Sequence, residues 1–187
     1  MHKELIEIPE IIETERLLIK VVKPGDGQAI NEAVLESWET LGKWMPWANG
    51  KKPTIEESEV LCRQGYARFI LREDIWVGIW RKEDNKYLGG SGFHRPNWDV
   101  PSFKIGYWLR DSEVGKGYVT ETVKALTKVA FEKLGCKRLE IRCDSTNTRS
   151  RNVMEKCGFK HEATLEKEGC AVSGELRDTL VYVRFNS

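Results

Sequence analysis

A glycine-rich turn between a strand and a helix constrains this chain more than any other feature. It reads Val114-Gly115-Lys116-Gly117-Tyr118-Val119-Thr120-Glu121. Before it, Phe103 to Leu109 has the composition of a strand. After it, apolar residues at Val119, Val123, Leu126, Ala130 and Leu134 keep the α-helical period, and Gly135 supplies a stop. The first N–H groups of a helix have no intrahelical partner, and the helix dipole adds positive potential there. The turn is therefore an anion site, and the spacing predicts that the anion is a pyrophosphate. Two familiar phosphate turns fit poorly. A P-loop needs Ser or Thr after its Gly-Lys pair, where Gly117 stands. A dinucleotide fingerprint needs a third glycine where Thr120 stands, and it belongs in an N-terminal βαβ unit, whereas this turn lies past the chain midpoint.

The rest of the chain alternates short strands and helices. Glu15 to Val22 reads as a first strand. Pro24-Gly25-Asp26 breaks it, and Asp26 is placed to cap a helix from Gly27 to Ser37. Trp38 to Trp47 holds three Trp, a Met and a Pro, and reads as a loop that either folds onto the core or walls a substrate cleft. Thr54 and Glu57 form a capping box that opens a second helix to about Leu71. Strands follow at 75–81 and 87–94, the second rich in glycine, as where another backbone or a ligand comes close. Beyond the glycine turn and its helix, 138–143 alternates as a strand and Asn147 to Cys157 forms a short helix. Two strands, about 159–165 and 176–185, close the chain around a loop at 169–174. This order predicts one α+β domain over residues 1–187, a mixed sheet of about seven strands flanked by about four helices.

Composition narrows the function classes. With 187 residues, 40% hydrophobic and 32% charged, and a formal net charge of +1, nothing pushes toward nucleic acid or membrane. No apolar run approaches the ~18 residues of a membrane span, and the N-terminus lacks the apolar core of a signal peptide. The five cysteines are odd in number and form no C-x-x-C pair, which suits reduced thiols in a cytoplasmic protein. No His, Cys and carboxylate set has metal-ligand spacing, so no metal is implied.

Several blocks together resemble the GNAT superfamily of N-acetyltransferases, and within it the RimJ/RimL-type branch that acetylates ribosomal-protein N-termini. The turn is similar to the family's [Q/R]-x-x-G-x-[G/A] and to the branch form G-x-G-Y-A-T-E. Asn147, Ser150, Val153, Glu155, Lys156, Gly158 and Phe159 match N-x-x-S-x-x-V-x-E-K-x-G-F. Glu13-Thr14-Glu15-Arg16-Leu17 resembles E-T-x-R-L, and Trp44-Met45-Pro46-Trp47 resembles W-x-P-W. Glu175-Leu176-Arg177-Asp178 with Tyr182 resembles the closing strand. The blocks occur in the expected order over the whole chain. Val114 and Val119 depart from the pattern, and Val119 brings a β-branched side chain to the first helical turn beside the phosphates.

The resemblance implies a GNAT-like fold and transfer of acetyl from acetyl-CoA directly to a primary amine. It implies a protein N-terminus as acceptor, with a small amine such as a polyamine, amino acid or drug as the alternative. A non-catalytic acyl-CoA-binding module is the other reading, and a homodimer stays open. The phosphates would meet the N–H groups of Gly115, Lys116, Gly117, Tyr118, Val119 and Thr120, with Lys116 adding charge. Backbone groups of Tyr107, Trp108 and Leu109 would hold pantetheine and polarise the thioester carbonyl. Asn147 would bond the pantetheine amides; a helix cap is its plain reading. Ser150 shares a helix face with Val153, Met154 and Cys157 and is the candidate acid for the departing thiolate, against a backbone-bonded first-turn Ser. Glu140 and Glu168 are candidate bases, each with a surface charge as the alternative, and Glu121 reads as structural. Trp38, Trp44, Trp47 and His94 are the candidate acceptor contacts.

Overall fold

The computed structural model describes residues 2–171 and 174–186. One eight-stranded sheet runs through it in the order β1-β2-β3-β4-β5-β6-β8-β7, one strand more than the sequence suggests. The strands are β1 (Ile11–Glu13), β2 (Leu17–Val21), β3 (Ile75–Arg81), β4 (Tyr87–Asn97), β5 (Ser102–Leu109), β6 (Arg138–Asp144), β7 (Lys160–Cys170) and β8 (Leu176–Phe185). Five helices join them: α1 (Gly27–Glu36), α2 (Trp38–Trp44), α3 (Ile55–Ile70), α4 (Tyr118–Glu132) and α5 (Thr148–Lys156). The extra helix is α2, which occupies the Trp-rich segment expected as a loop. Among the described residues no helix is long and apolar enough to cross a membrane. The loop expected at 169–174 includes positions 172 and 173, outside the described residues.

Strand alternation sorts the side chains to two faces. Leu17, Ile19, Val77, Ile79, Phe103, Ile105, Leu139 and Ile141 share one apolar cluster with Val123, Leu126 and Ala130 of α4 and Met154 of α5. Trp80 and Tyr87 face the other way, into a second cluster with Ile30, Ala33 and Val34 of α1, Leu41 of α2 and Cys62 of α3. So α4 and α5 cover one face of the sheet, and α1, α2 and α3 cover the other.

The helix ends follow capping chemistry in most places. Thr54 and Glu57 complete the capping box of α3. Asp26 stands at the N-cap of α1 without capping it: its carboxylate accepts from Lys23 N at 2.9 Å instead. Glu59 of α3 reaches across and accepts from Gly25 N and Gly27 N.

Among the described residues one strand pairing is parallel, and it positions the site. β5 and β6 pair only over Ser102 to Lys104 and Arg138 to Glu140. Beyond that the strands part, each held by its other neighbour, β4 or β8. The edge of β5 from Ile105 to Leu109 that faces β6 therefore carries no strand partner, and a wedge opens through the sheet.

Candidate active site

The glycine turn meets the wedge from the α4 side. Gly115 (φ +86°) and Gly117 (φ +83°) both hold left-handed backbone, which glycine adopts without the Cβ clash of other residues. Gly117 is the N-cap of α4 and brings no capping side chain, so the helix N-terminus stays open. A Cβ placed on Gly115 would meet nothing within 4 Å. This cradle of open N–H groups fits a pyrophosphate. Val119, suspected of crowding it, instead packs its side chain against the first apolar cluster, with Tyr118 buried in that cluster beside it.

The turn is clamped from two sides. Arg16 donates to the Lys116 carbonyl at 3.0 Å and to Glu121 at 2.8 Å, and its guanidinium lies over the Tyr118 ring. Glu121 also accepts from Thr14 Oγ1 at 2.6 Å and from Arg16 N at 3.0 Å. Its carboxyl is pushed up by burial, but the Thr14 and Arg16 bonds outweigh this and hold it below its ordinary value. Lys116, expected to add charge at the phosphates, is engaged in an ion pair. Its ammonium donates to Glu113 at 2.8 Å, and Glu113 also receives Arg81 and Lys86. Three cations around one buried carboxylate leave local positive charge beside the turn.

On the α4–α5 side of the wedge, alternation points Tyr107 of β5 and Cys143 of β6 toward α5. Asn147 caps α5 through its side-chain oxygen, which accepts from Ser150 N at 3.0 Å. That satisfies the plain reading of Asn147 and leaves its amide NH2 group for other bonds. Ser150 Oγ lies 2.8 Å from the Tyr107 hydroxyl. Cys143 is half-buried near Ser150, and burial, the largest influence on it, raises its thiol above the ordinary value.

The opposite side of the wedge carries a cleft of about 540 Å³, framed by Lys43 and Trp44 of α2, by Asp144 to Thr146, and by the β7–β8 hairpin residues Glu175 to Asp178. Asp144 pairs with Arg177 at 3.4 Å and accepts from Thr146 N at 2.7 Å. Trp47 is half-exposed and meets Trp108 of β5 edge-on, with ring centroids 6.1 Å apart. Trp38 is different: it packs on the second cluster as part of the core. His94 pairs with Asp74 at 3.0 Å and lies opposite Lys104, roughly 13 Å along β5 from Trp108 at ~3.3 Å per residue.

Glu140 and Glu168 face this second side, joined through Arg142. Glu140 accepts from Arg142 at 2.6 Å and Arg138 at 3.2 Å and sits 3.4 Å from Lys104. Burial raises its pKa, but the arginine and lysine contacts outweigh burial and keep it below its ordinary value. It also lies at the closed end of the wedge, so the geometry disfavours it as a base. Glu168 is in β7 at a bulge rather than in the hairpin loop, accepts from Thr179 Oγ1 at 2.7 Å, and is 3.5 Å from Arg142. Arg16 and Arg177 stood in the quoted sequence blocks without a role, while Asp144 and the Tyr107 side chain were passed over. Tyr107 had a usable signal, since it shares the alternation phase of Phe103 and Ile105.

The comparisons with known proteins coincide with this geometry. The model of the acetyltransferase (GNAT) domain matches residues 16–160, which include the turn, the wedge and α5. The chain belongs to the GNAT acetyltransferase family. Accordingly it is an N-acetyltransferase that uses acetyl-CoA. YdaF of Bacillus subtilis (strain 168), named as a provisional ribosomal N-acetyltransferase, is 26% identical over 168 residues, 90% of each chain. The structure of RimL, a ribosomal L7/L12 alpha-N-protein acetyltransferase in complex with coenzyme A, superposes with a TM-score of 0.88. It is 21% identical and the match covers 94% of this chain and 98% of RimL. The microcin C7 self-immunity acetyltransferase MccE, solved with acetyl-CoA and AMP, gives a TM-score of 0.84 at 22% identity, over 92% of this chain and 93% of MccE. RimL and MccE share this chain's fold.

Proposed function

We propose that this GNAT enzyme acetylates the N-terminal α-amine of a protein, with a ribosomal protein as the leading acceptor. The observation that carries the reading is the two-sided wedge. Its α4–α5 side holds the phosphate turn, Asn147 and Ser150, and its other side opens on a charged, aromatic-edged cleft. Acetyl-CoA enters from the first side, its phosphates on the N–H groups from Gly115 to Thr120 and its pantetheine along the free edge of β5 at Tyr107, Trp108 and Leu109. The acceptor enters from the second side, between Trp44, Trp47 and the hairpin. Asp144, Glu175 and Asp178 attract an ammonium group there, and Lys43 and Arg177 meet main-chain carbonyls or acidic side chains of a peptide.

The amine must lose a proton before it attacks. An α-amine, with a reference pKa of about 7.7–8.0, needs far less help than a lysine at about 10.4. Glu168, the more open of the two candidate bases, takes that proton directly or through water. Ser150, on the other side, gives a proton to the departing thiolate. The names of YdaF and RimL support a ribosomal-protein acceptor, and the AMP bound with acetyl-CoA in MccE keeps a small-molecule acceptor as the second reading.

The test is an acceptor panel with acetyl-CoA, read by release of free CoA thiol. Peptides with a free N-terminus are expected to be acetylated at least tenfold faster than the same peptides with a blocked N-terminus and a free lysine. A polyamine or amino acid that outruns every peptide would replace this reading with the small-amine one. Ser150→Ala is expected to lower kcat at least tenfold with little change in the KM for acetyl-CoA, and an unchanged kcat would remove Ser150 from the reaction.

A further inference from the structure

The Tyr107 hydroxyl has no place in the roles above, yet it is the nearest polar side chain to Ser150. Tyr107 sits on the unpaired stretch of β5, and its phase along the strand turns the ring toward α5. The hydroxyl lies 2.8 Å from Ser150 Oγ and 3.2 Å from the Ser150 carbonyl oxygen. The Ser150 backbone is held in place beside it, because its N–H donates to Asn147 Oδ1 at 3.0 Å.

A phenol and a serine hydroxyl each have one proton to give and lone pairs to accept with. Two arrangements of the pair therefore satisfy the geometry. In one, Ser150 donates to Tyr107 and Tyr107 donates to the Ser150 carbonyl, so the serine proton is occupied. In the other, Tyr107 donates to Ser150 Oγ, and the serine proton is free to point into the wedge. A hydroxyl that accepts a hydrogen bond also becomes a better donor, since bonds in a chain polarise one another.

We propose that Tyr107 is a positioning residue for proton donation by Ser150: its hydroxyl switches from the Ser150 carbonyl to Ser150 Oγ as negative charge gathers on the leaving sulfur. The inference rests on the reading of Ser150 as the acid. In the step it serves, the carbon–sulfur bond breaks and its electron pair stays on sulfur. The Ser150 proton moves to sulfur to complete the CoA thiol, and the proton lost by the acceptor nitrogen restores Ser150 by way of solvent. Tyr107 keeps its own proton throughout. Burial holds its phenol well above the ordinary value, against the opposing pull of the Ser150 bond, so it donates a hydrogen bond without ionising beside a much more acidic thiol.

A double-mutant cycle on the full-length protein tests this, with kcat and the KM for acetyl-CoA measured for wild type, Tyr107→Phe, Ser150→Ala and the double variant. Tyr107→Phe is expected to lower kcat about fivefold to tenfold, with KM changed less than twofold. The double variant is expected to match Ser150→Ala within twofold, because Tyr107 acts only through Ser150. Equal losses from Tyr107→Phe on both backgrounds, or a wild-type kcat for Tyr107→Phe, would overturn the role of Tyr107 and leave Ser150 standing. A wild-type kcat for Ser150→Ala would remove the acid itself, and Tyr107 with it, while acetylation by the wild-type enzyme would stand. Calorimetric acetyl-CoA binding by each variant reports its folding, and Tyr107→Met repeats the cycle if the Phe variant does not fold.

Discussion

Tyr87 carries its hydroxyl into the second apolar cluster at 2% exposure, and among the described residues that oxygen has no hydrogen-bond partner. An unsatisfied buried polar group costs about 1–3 kcal/mol, whereas the ring packs equally well without it. Tyr87→Phe is therefore expected to raise stability by about 1 kcal/mol, or roughly 2–4 °C in Tm for a chain of this size. A lower Tm in thermal unfolding would show that the hydroxyl has a bound partner, such as water. Gly117 is the opposite case, a residue whose substitution acts through backbone rather than space. A Cβ there would come no closer than 3.5 Å to Arg16 Nη2, an ordinary contact, but φ is +83°. A non-glycine residue in that conformation costs about 1–2 kcal/mol. Gly117→Ala is expected to relieve the strain by turning the first N–H groups of α4 away from the phosphates. Acetyl-CoA binding should then weaken about tenfold by calorimetry while Tm falls only a few degrees. Unchanged affinity would mean that the turn does not hold the phosphates.

The element-scale unit is the clasp between the start of β2 and the start of α4, made by Glu121 with Thr14 and Arg16. It explains why two short sequence blocks about a hundred residues apart belong together: one supplies the carboxylate and the other its donors. Because the folded-state pKa of Glu121 is lowered, the clasp contributes stability that is present above the unfolded carboxylate value of about 4.3. That contribution is lost as pH falls through the folded value. The Tm gap between wild type and Glu121→Gln is expected to be widest near pH 7 and to close progressively below about pH 4. A gap independent of pH would mean that the carboxylate charge is not what the clasp uses. Much at this scale was legible in the chain. The alternation of β5, the period of α4, the capping box of α3 and the glycines of the turn are local signals. The α2 helix was not legible, because it holds two Trp and a Gly with Pro46 just beyond, and its helicity comes from packing Trp38 and Leu41 on the second cluster. The distant partners of Glu113 and Glu140 were not legible either. Glu113 lies three residues before Lys116, and Arg138 and Arg142 lie two residues from Glu140, but Arg81 and Lys86 around Glu113 and Lys104 beside Glu140 are brought in by strands that sequence spacing does not join.

At the scale of the whole molecule, the parting of β5 from β6 gives the sheet two entrances that meet at one opening. The phosphate turn and Ser150 lie on the α4–α5 side. The cleft with Trp44, Asp144 and Arg177 lies across the sheet, so in the proposed roles neither substrate has to leave before the other arrives. The alternative, a covalent acetyl-enzyme, needs a nucleophile at the wedge, and the cysteine placed there is Cys143. A thiol attacks as the thiolate, and burial raises the Cys143 pKa, which keeps it protonated near neutral pH. We therefore expect direct transfer in a ternary complex. Initial rates measured over a grid of acetyl-CoA and peptide concentrations are expected to give intersecting lines in double-reciprocal form. Cys143→Ala is expected to retain kcat within about threefold, and no acetylated protein should be found by mass spectrometry after incubation with acetyl-CoA alone. Parallel lines, together with a Cys143→Ala enzyme slowed at least a hundredfold, would mean that the chain works through an acyl-enzyme and that the two entrances serve the same side of the reaction in turn.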